Sequence, residues 1–530
     1  MMSWIRCGSL LALALLWVLN GCDGSSEQGD AGPNDGTTDA GADASGLPES
    51  LPFEFTRDDV GEAVTATQVT DFTRAITGAW KEVDYFRWCS WHSHGLDASF
   101  DPEMPDYKLY WQDTRAIKEG DTITFEHYGG ADNLMIRTSK VLAQAASGYL
   151  MSGDPLMGEL VAQYAKGMVA LFLGMVWGNE DPPITSIMAR AIFTLNHSYS
   201  IEEGRNVVVD YDPAKVEKYD WNAHTIPNSE NPTWGDIWVR NMRSKDDLPH
   251  IFRAAPLLLR VAEDGQDEHI REAARTAYEY LQAFARDIVD NTYLIRTKGI
   301  DGVPYVPMEE DNPDSIKDLA CLRCFEAVLP NAECDAKLTT ALVAYGEPLE
   351  NACENGISPH YEAVATAGHY FNYAIVRYFH LAAITNALTL RQDTVAGELL
   401  AGLAQRTDEM MADETERLEH GEWDADMASF LVAAAASGLP LTSAEVHKIH
   451  DEYGASATHY VAWPNWDLWD ASIPDGTYDY KPSRNDGERT HVRPEELAYF
   501  LQYCYSPWRN PAGVQLIDCE VVADPSRWGE

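Results

Sequence analysis

Between residues 248 and 288 the apolar side chains return every three to four positions, twice over. Leu248, Ile251, Phe252, Ala255, Leu258, Leu259 and Ala262 make one stripe, and Ile270, Ala273, Ala274, Ala277, Leu281, Phe284, Ala285 and Ile288 make the next. That period lines one face of an α-helix, whereas a half-buried strand would alternate. Similar stripes run through 134–149, 161–176, 364–382, 395–410 and 427–436, separated by Gly/Pro/Asn-rich connections at 177–183 and 219–234. About a dozen helices are predicted. Strand-like runs are few: 206–211 (NVVVDY) is the best, with a short one around 123–125. The expected class is therefore mainly α. Successive hairpins over roughly 400 residues predict an α/α toroid, a barrel of helical hairpins with long loops and a few short strands. No strict repeat period marks a known solenoid class, and a solenoid of irregular hairpins is the alternative.

The chain has 530 residues, 45% of them hydrophobic, which suffices for one large core or two. Its formal net charge of -45 argues against nucleic acid or an anionic lipid surface as partner and, more mildly, against a highly anionic polymer as substrate. A basic cleft is still compatible with that total, because the local field governs binding. Beyond the N-terminus no apolar run is expected to cross a membrane.

Arg6 precedes an apolar run at 10–19, and the segment closes on Leu19-Asn20-Gly21-Cys22. The run has the length of a signal-peptide core, and the whole resembles the lipobox of bacterial lipoproteins. That resemblance implies cleavage before Cys22, lipid on the new N-terminal cysteine, and an envelope location with the lipid as the membrane contact. Asp23 resembles an inner-membrane retention signal of some envelope systems, so the leaflet stays open. Residues 23–50 are Gly, Asp, Ala, Ser and Thr with scarcely an apolar side chain, as in a flexible tether. The expected organisation is 1–21 signal peptide, 22–50 acidic tether and 51–530 folded domain.

Apart from Cys7 and Cys22 the cysteines are Cys89, Cys321, Cys324, Cys334, Cys353, Cys504 and Cys519, an odd number. In an exported chain the four at 321–353 are expected to staple an insert with two disulfides. Cys504 and Cys519 make a C-terminal clip, leaving Cys89 as the free thiol.

Asn196-His197-Ser198-Tyr199 is expected to follow a helix ending near Leu195, and it brings together an amide, an imidazole and a phenol. Such groups suit β-elimination from a uronic acid: amide and imidazole neutralise the carboxylate, and phenol or imidazole moves protons. The stretch resembles alginate-lyase-type polysaccharide lyases, which are α/α toroids carrying Asn-His-Ser-Tyr. The resemblance implies Asn196 and His197 at the carboxylate with Arg240 or Arg243, and Tyr199 or another tyrosine as the proton-transfer group. Where that family has a tyrosine a few residues beyond the arginine, this chain has Asp246, Asp247 and His250. The alternative reading of Asn196 and His197 is capping of a helix end.

A hydrolase would instead pair Asp246 or Asp247 with Asp132 or Glu309 as acid and base, although Asp246, Asp247 and Asp132 also suit helix caps. Trp463, Trp466, Asp467 and Trp469 in the stretch 459–480 fit a glycan subsite, or a core under a long loop. His360 and Tyr361 are placed at the toroid mouth. His92 and His94, with Asp97 or His127, form a weak metal candidate against hydrogen-bonded loop histidines. No motif points to a cofactor. The expected function is a lipid-anchored, glycan-active enzyme, a polysaccharide lyase or glycoside hydrolase. The alternative is a non-catalytic lipoprotein that binds glycan or protein through its aromatic loop.

Overall fold

Helices carry most of the structure, and their ends show why they start where they do. In chain order they are α1 (Ala66–Val83), α2 (Leu134–Ser152), α3 (Pro155–Leu173), α4 (Asp247–Asp264), α5 (Glu268–Asp290), α6 (Pro330–Tyr345), α7 (Tyr370–Thr389), α8 (Asp393–Ala412), α9 (Asp424–Ala436), α10 (Ser443–Thr458), α11 (Pro494–Leu497), α12 (Tyr499–Tyr505) and α13 (Cys519–Val522). The computed structural model describes residues 50–60, 64–83, 107–110, 113–129, 134–178, 185–194, 197–202, 204–210, 225–241, 247–306, 330–349, 370–412, 424–458, 468–480, 494–509 and 515–530. These fall within the unit Leu47–Glu530. Asp154 caps α3 by accepting from the backbone N–H groups of Leu156 and Met157, with Pro155 opening the helix. A reciprocal capping box opens α10. Glu445 accepts from the Thr442 backbone N–H at 2.8 Å, and Thr442 Oγ1 accepts from that of Glu445 at 3.3 Å.

Burial divides the helices into two sets. α5 follows its stripe, burying Ile270, Ala273, Ala274, Ala277, Leu281, Phe284, Ala285 and Ile288 while Glu272 and Glu279 face water. By contrast α2, α4, α7, α9 and α12 are buried on nearly every side over their described side chains. Such helices lie inside, with others packed around them. α2 packs on α4, α4 on α7, α7 on α9, α9 on α12, and α12 on α2 again. α3, α5, α6, α8 and α10 back this inner set, each against at least one of its members, and α1 lies against α10. Arg253 of α4 lies over the Tyr499 ring of α12, and Arg260, two turns on, lies over Tyr505. α4 and α12 therefore run in the same direction.

The mainly α expectation holds, with three corrections. α3 is apolar and long enough to cross a membrane by length and composition, contrary to expectation. However, 72% of its apolar window is buried inside the protein, as in a core helix. Strands are also more numerous than expected: β1 (Asp113–Glu119), β2 (Thr122–Gly129), β3 (Ala191–Thr194), β4 (His197–Glu202), β5 (Arg205–Asp210), β6 (Thr225–Asn231), β7 (Gly235–Arg240), β8 (Thr297–Lys298), β9 (Pro304–Tyr305) and β10 (Gly476–Tyr480). The two runs read as strands are part of β5 and β2. The sheets have the orders β10-β1-β2-β5-β4, β3-β7-β6 and β8-β9, and β2 pairs with β5 in parallel. Finally, the helix expected to end near Leu195 is β3. Ile192, Phe193 and Thr194 are β-branched or aromatic, and pairing with Ile237–Val239 of β7 supplies the backbone partners that a four-residue helix would lack.

Cys504 and Cys519 form the expected disulfide. Cys334 is also disulfide-bonded, while Cys7, Cys22, Cys89, Cys321, Cys324 and Cys353 lie outside the described residues.

Candidate functional site

Three inner helices each turn side chains three or four positions apart toward one recess, most of them polar. α2 supplies Ser139 and Lys140, with Ala143 one turn on; α4 supplies His250 and Arg253; α12 supplies Tyr499 and Gln502. Positions three and four apart share a helix face, which is why each helix contributes a set. The recess is small, about 10 Å³, room for one water-sized group, and it opens to solvent on one side. Arg253 donates to Gln502 Oε1 at 2.6 Å, and its guanidinium stands 5.2 Å from the Tyr499 ring centroid. Lys140 Nζ is 5.8 Å from the same centroid. The Tyr378 ring of α7 lies 4.4 Å from the His250 imidazole.

α12 is too short to hold its own place, and tertiary contacts pin it at both ends. Tyr453 donates to the Glu496 carbonyl at 3.1 Å, just before α12, and shares a 2.7 Å hydrogen bond with Ser429. At the other end Ser506 bonds the Ala436 carbonyl, and the Cys504–Cys519 disulfide ties the last turn to α13.

The electrostatics set two protonation states. Burial pushes the His250 imidazole well below its ordinary pKa, and the charges of Lys140, Arg253 and Arg137 push it further down. Burial pushes the Tyr499 phenol up to about 12, with Glu496 adding to the rise and Arg253 and Arg137 opposing it. At neutral pH the recess thus holds a neutral imidazole and a protonated phenol, a potential base and a potential acid. Arg253 is 4% exposed. Among the described residues neither it nor Lys140 has a carboxylate at ion-pair distance, and their partners are Gln502 and the Tyr499 ring. Burying a cation without a counter-charge costs several kcal/mol, which sets Arg253 apart from an ion-paired arginine. Arg57, for comparison, meets both Glu445 oxygens at 2.8 Å.

The residues expected from sequence fall elsewhere or outside the described set. His197 and Tyr199 lie on β4 in the five-stranded sheet, and Arg240 lies on β7 in the three-stranded one, buried with its guanidinium 5.9 Å from the Phe193 ring. Asp247 is fully buried in the first turn of α4, one turn before His250. Trp469 is half-buried, with Arg205 over its ring at 5.5 Å. Asn196, Arg243, Asp246, Asp132, Glu309, His360, Tyr361, Trp463, Trp466, Asp467, Cys22, His92 and His94 lie outside the described residues. Among the described residues no group of three His, Cys, Asp or Glu is placed to hold a metal ion.

In the sequence His250 stands only as a residue in the place where the resembled family has a tyrosine. The overlooked signal was polar: His250 and Arg253 interrupt a helix whose other neighbouring positions are apolar and buried. Compared with known proteins, the chain matches no family model and shows no significant similarity to a curated protein or a solved structure.

Proposed function

We propose that this chain is an exported, lipid-anchored enzyme, built as an α/α toroid, that cleaves an extracellular polysaccharide by β-elimination with His250 and Tyr499 as proton-transfer groups. The cyclic packing of α2, α4, α7, α9 and α12, each backed by outer helices, supports the toroid. The lipobox-like Leu19-Asn20-Gly21-Cys22 supports the anchor. One observation carries the chemistry: a neutral imidazole and a protonated phenol share a cationic recess.

In this reading His250 takes the carbon-bound proton next to the sugar carboxyl. The electron pair left behind forms the ring double bond and expels the glycosidic oxygen. Tyr499 protonates that oxygen; His250 then gives its proton to solvent and Tyr499 regains one from it, so no water is added across the bond. The recess favours elimination over hydrolysis in one respect. Among the described residues its lining contains no carboxylate, whereas hydrolysis of the usual kind takes a carboxyl pair.

The test incubates the full chain with acidic and neutral polysaccharides, following ultraviolet absorbance of the new double bond together with released reducing ends. Both signals should rise with wild type and be lost in His250→Gln. Reducing ends without the absorbance would transfer the assignment to hydrolysis. Silence on both, with the chain retained on an immobilised glycan, would make it a binding lipoprotein.

A further inference from the structure

The Cys504–Cys519 clip has an arginine seated on its sulfur, which a purely structural disulfide does not need. Arg509 Nη1 donates to Cys519 Sγ at 2.9 Å and also to the Cys504 carbonyl, and the guanidinium stands 5.7 Å from the Tyr503 ring centroid. Arg509 is half-buried, and among the described residues no carboxylate lies at ion-pair distance from it. Acids outnumber bases 84 to 39 over the sequence, so no shortage of anions forces this arrangement. A disulfide sulfur is a weak acceptor, whereas a thiolate is an anion. The guanidinium therefore gains most when the bond is open and Cys519 carries the charge. Burial raises the Tyr503 phenol, which stays protonated and adds no charge there. Of the two acids next to Cys519 in the chain, Asp518 already accepts from the Glu520 and Val521 N–H groups, and Glu520 is exposed, where water and salt screen it.

The clip also reaches the recess. Cys504 lies on α12 two residues after Gln502, and the chain around Cys519 is fastened to α1. There Asp518 N–H donates to Thr73 Oγ1 at 2.8 Å, Gly529 N–H donates to Thr77 Oγ1 at 3.1 Å, and the Trp528 ring lies 5.0 Å from that of Trp80. We infer that the clip is a redox switch on the recess: a dithiol reductant opens it, Arg509 holds the Cys519 thiolate, and α12 loosens. The inference concerns regulation of the site proposed above and rests on that reading. One thiolate of the reductant attacks Cys519, the more exposed of the two residues, and the electron pair of the S–S bond leaves on Cys504, which takes a proton. The second thiol of the reductant then loses its proton to solvent, closes the reductant's own disulfide and releases Cys519 as a thiolate against Arg509. Two electrons and one proton pass to the clip. Stabilising the reduced form in this way makes a disulfide easier to reduce.

The test equilibrates the full chain with mixtures of reduced and oxidised dithiothreitol, traps thiols by alkylation and quantifies Cys504 and Cys519 by peptide mass. Arg509→Met should need a dithiol-to-disulfide ratio about tenfold higher than wild type to open half the clip, the size of one charge-assisted hydrogen bond and about 30 mV for a two-electron couple. Arg509→Lys keeps the charge and should stay nearer wild type, which keeps the test open if the methionine variant does not fold. Hydrogen exchange at the amides of 499–505 should quicken when the clip opens, and glycan cleavage should slow and recover on reoxidation. Equal midpoints for wild type and Arg509→Met, or α12 exchange that ignores the state of the clip, would overturn the switch. Cleavage by Cys504→Ser/Cys519→Ser that still falls with reductant would place the effect at the disulfide of Cys334 and overturn it too. Cleavage at one rate by open and closed forms keeps the enzyme and removes the switch. Faster α12 exchange in the open form, with no glycan cleaved by either, upholds the switch and removes the enzyme reading.

Discussion

Replacing Arg253 by methionine separates an arginine retained for function from one retained for stability. Methionine keeps the length and most of the apolar contact while removing the charge. The loss comprises the 2.6 Å hydrogen bond to Gln502, worth about 1.5–3 kcal/mol for a charged donor. It also includes the cation–π contact with Tyr499, worth up to about 2 kcal/mol where water is excluded. Against that stands release of the desolvation cost of a buried cation with no counter-charge among the described residues, several kcal/mol. The two sides nearly cancel, and the expected stability change in ligand-free buffer is within about 1.5 kcal/mol of zero. Arg57→Met is the comparator. Its guanidinium, 5% exposed, donates to both Glu445 oxygens and the Pro440 carbonyl at 2.8 Å, and to Asp408 at 2.5 Å. Removing it strands a carboxylate that is 1% exposed, at a cost of about 3–5 kcal/mol. Urea unfolding followed by tryptophan fluorescence, with slopes fitted for each variant, reads both numbers. Should Arg253→Met lose as much as Arg57→Met, the guanidinium is structural and the argument from its missing counter-charge is refuted.

His250 gives a pH prediction with a definite sign. Its folded pKa lies below the unfolded value near 6.5, so its contribution to stability is present above pH ~6.5 and lost as pH falls from there toward the folded pKa. Activity that needs the neutral imidazole should persist below pH ~6.5 and decline only in that lower range. Urea midpoints and kcat/KM for wild type and His250→Gln between pH ~7.5 and ~5.5 measure both effects. An acid limb of activity centred at the ordinary histidine value would contradict the burial argument. Opening the clip with Cys504→Ser/Cys519→Ser should cost about 3 kcal/mol, from the loop closure of its 15-residue separation. It should also slow the proposed glycan cleavage, because Cys504 follows Gln502 on α12; urea unfolding and initial rates check the pair. Full stability in the double variant would show that α12 is held by packing alone.

The legible and illegible parts differ in the range of the forces behind them. The stripes at 248–262 and 270–288 became α4 and α5 because the three-four period is a property of adjacent turns. The stripe at 161–176 overshot by a few residues, since α3 ends at Leu173 with Gly174 as its cap. Ala191–Thr194 misled because a short apolar run fits either period, and only its pairing with β7 decided it. Gly167 shows the same limit inside a helix. A Cβ there would stand 1.8 Å from the Lys108 carbonyl oxygen, so glycine is required by a chain segment packed flush against α3.

The amino-acid sequence by itself determined the helical class, the places where the main helices lie and the short C-terminal clip, because each depends on local periodicity or on cysteines close along the chain. Tertiary structure alone decided the recess. Arg253 and Gln502 are 249 positions apart, and no local preference joins them. They meet because helices buried on nearly every side pack against one another, and that packing sets which polar side chains face inward together. The same burial holds the imidazole neutral and the phenol protonated, states that no stretch of the sequence displays.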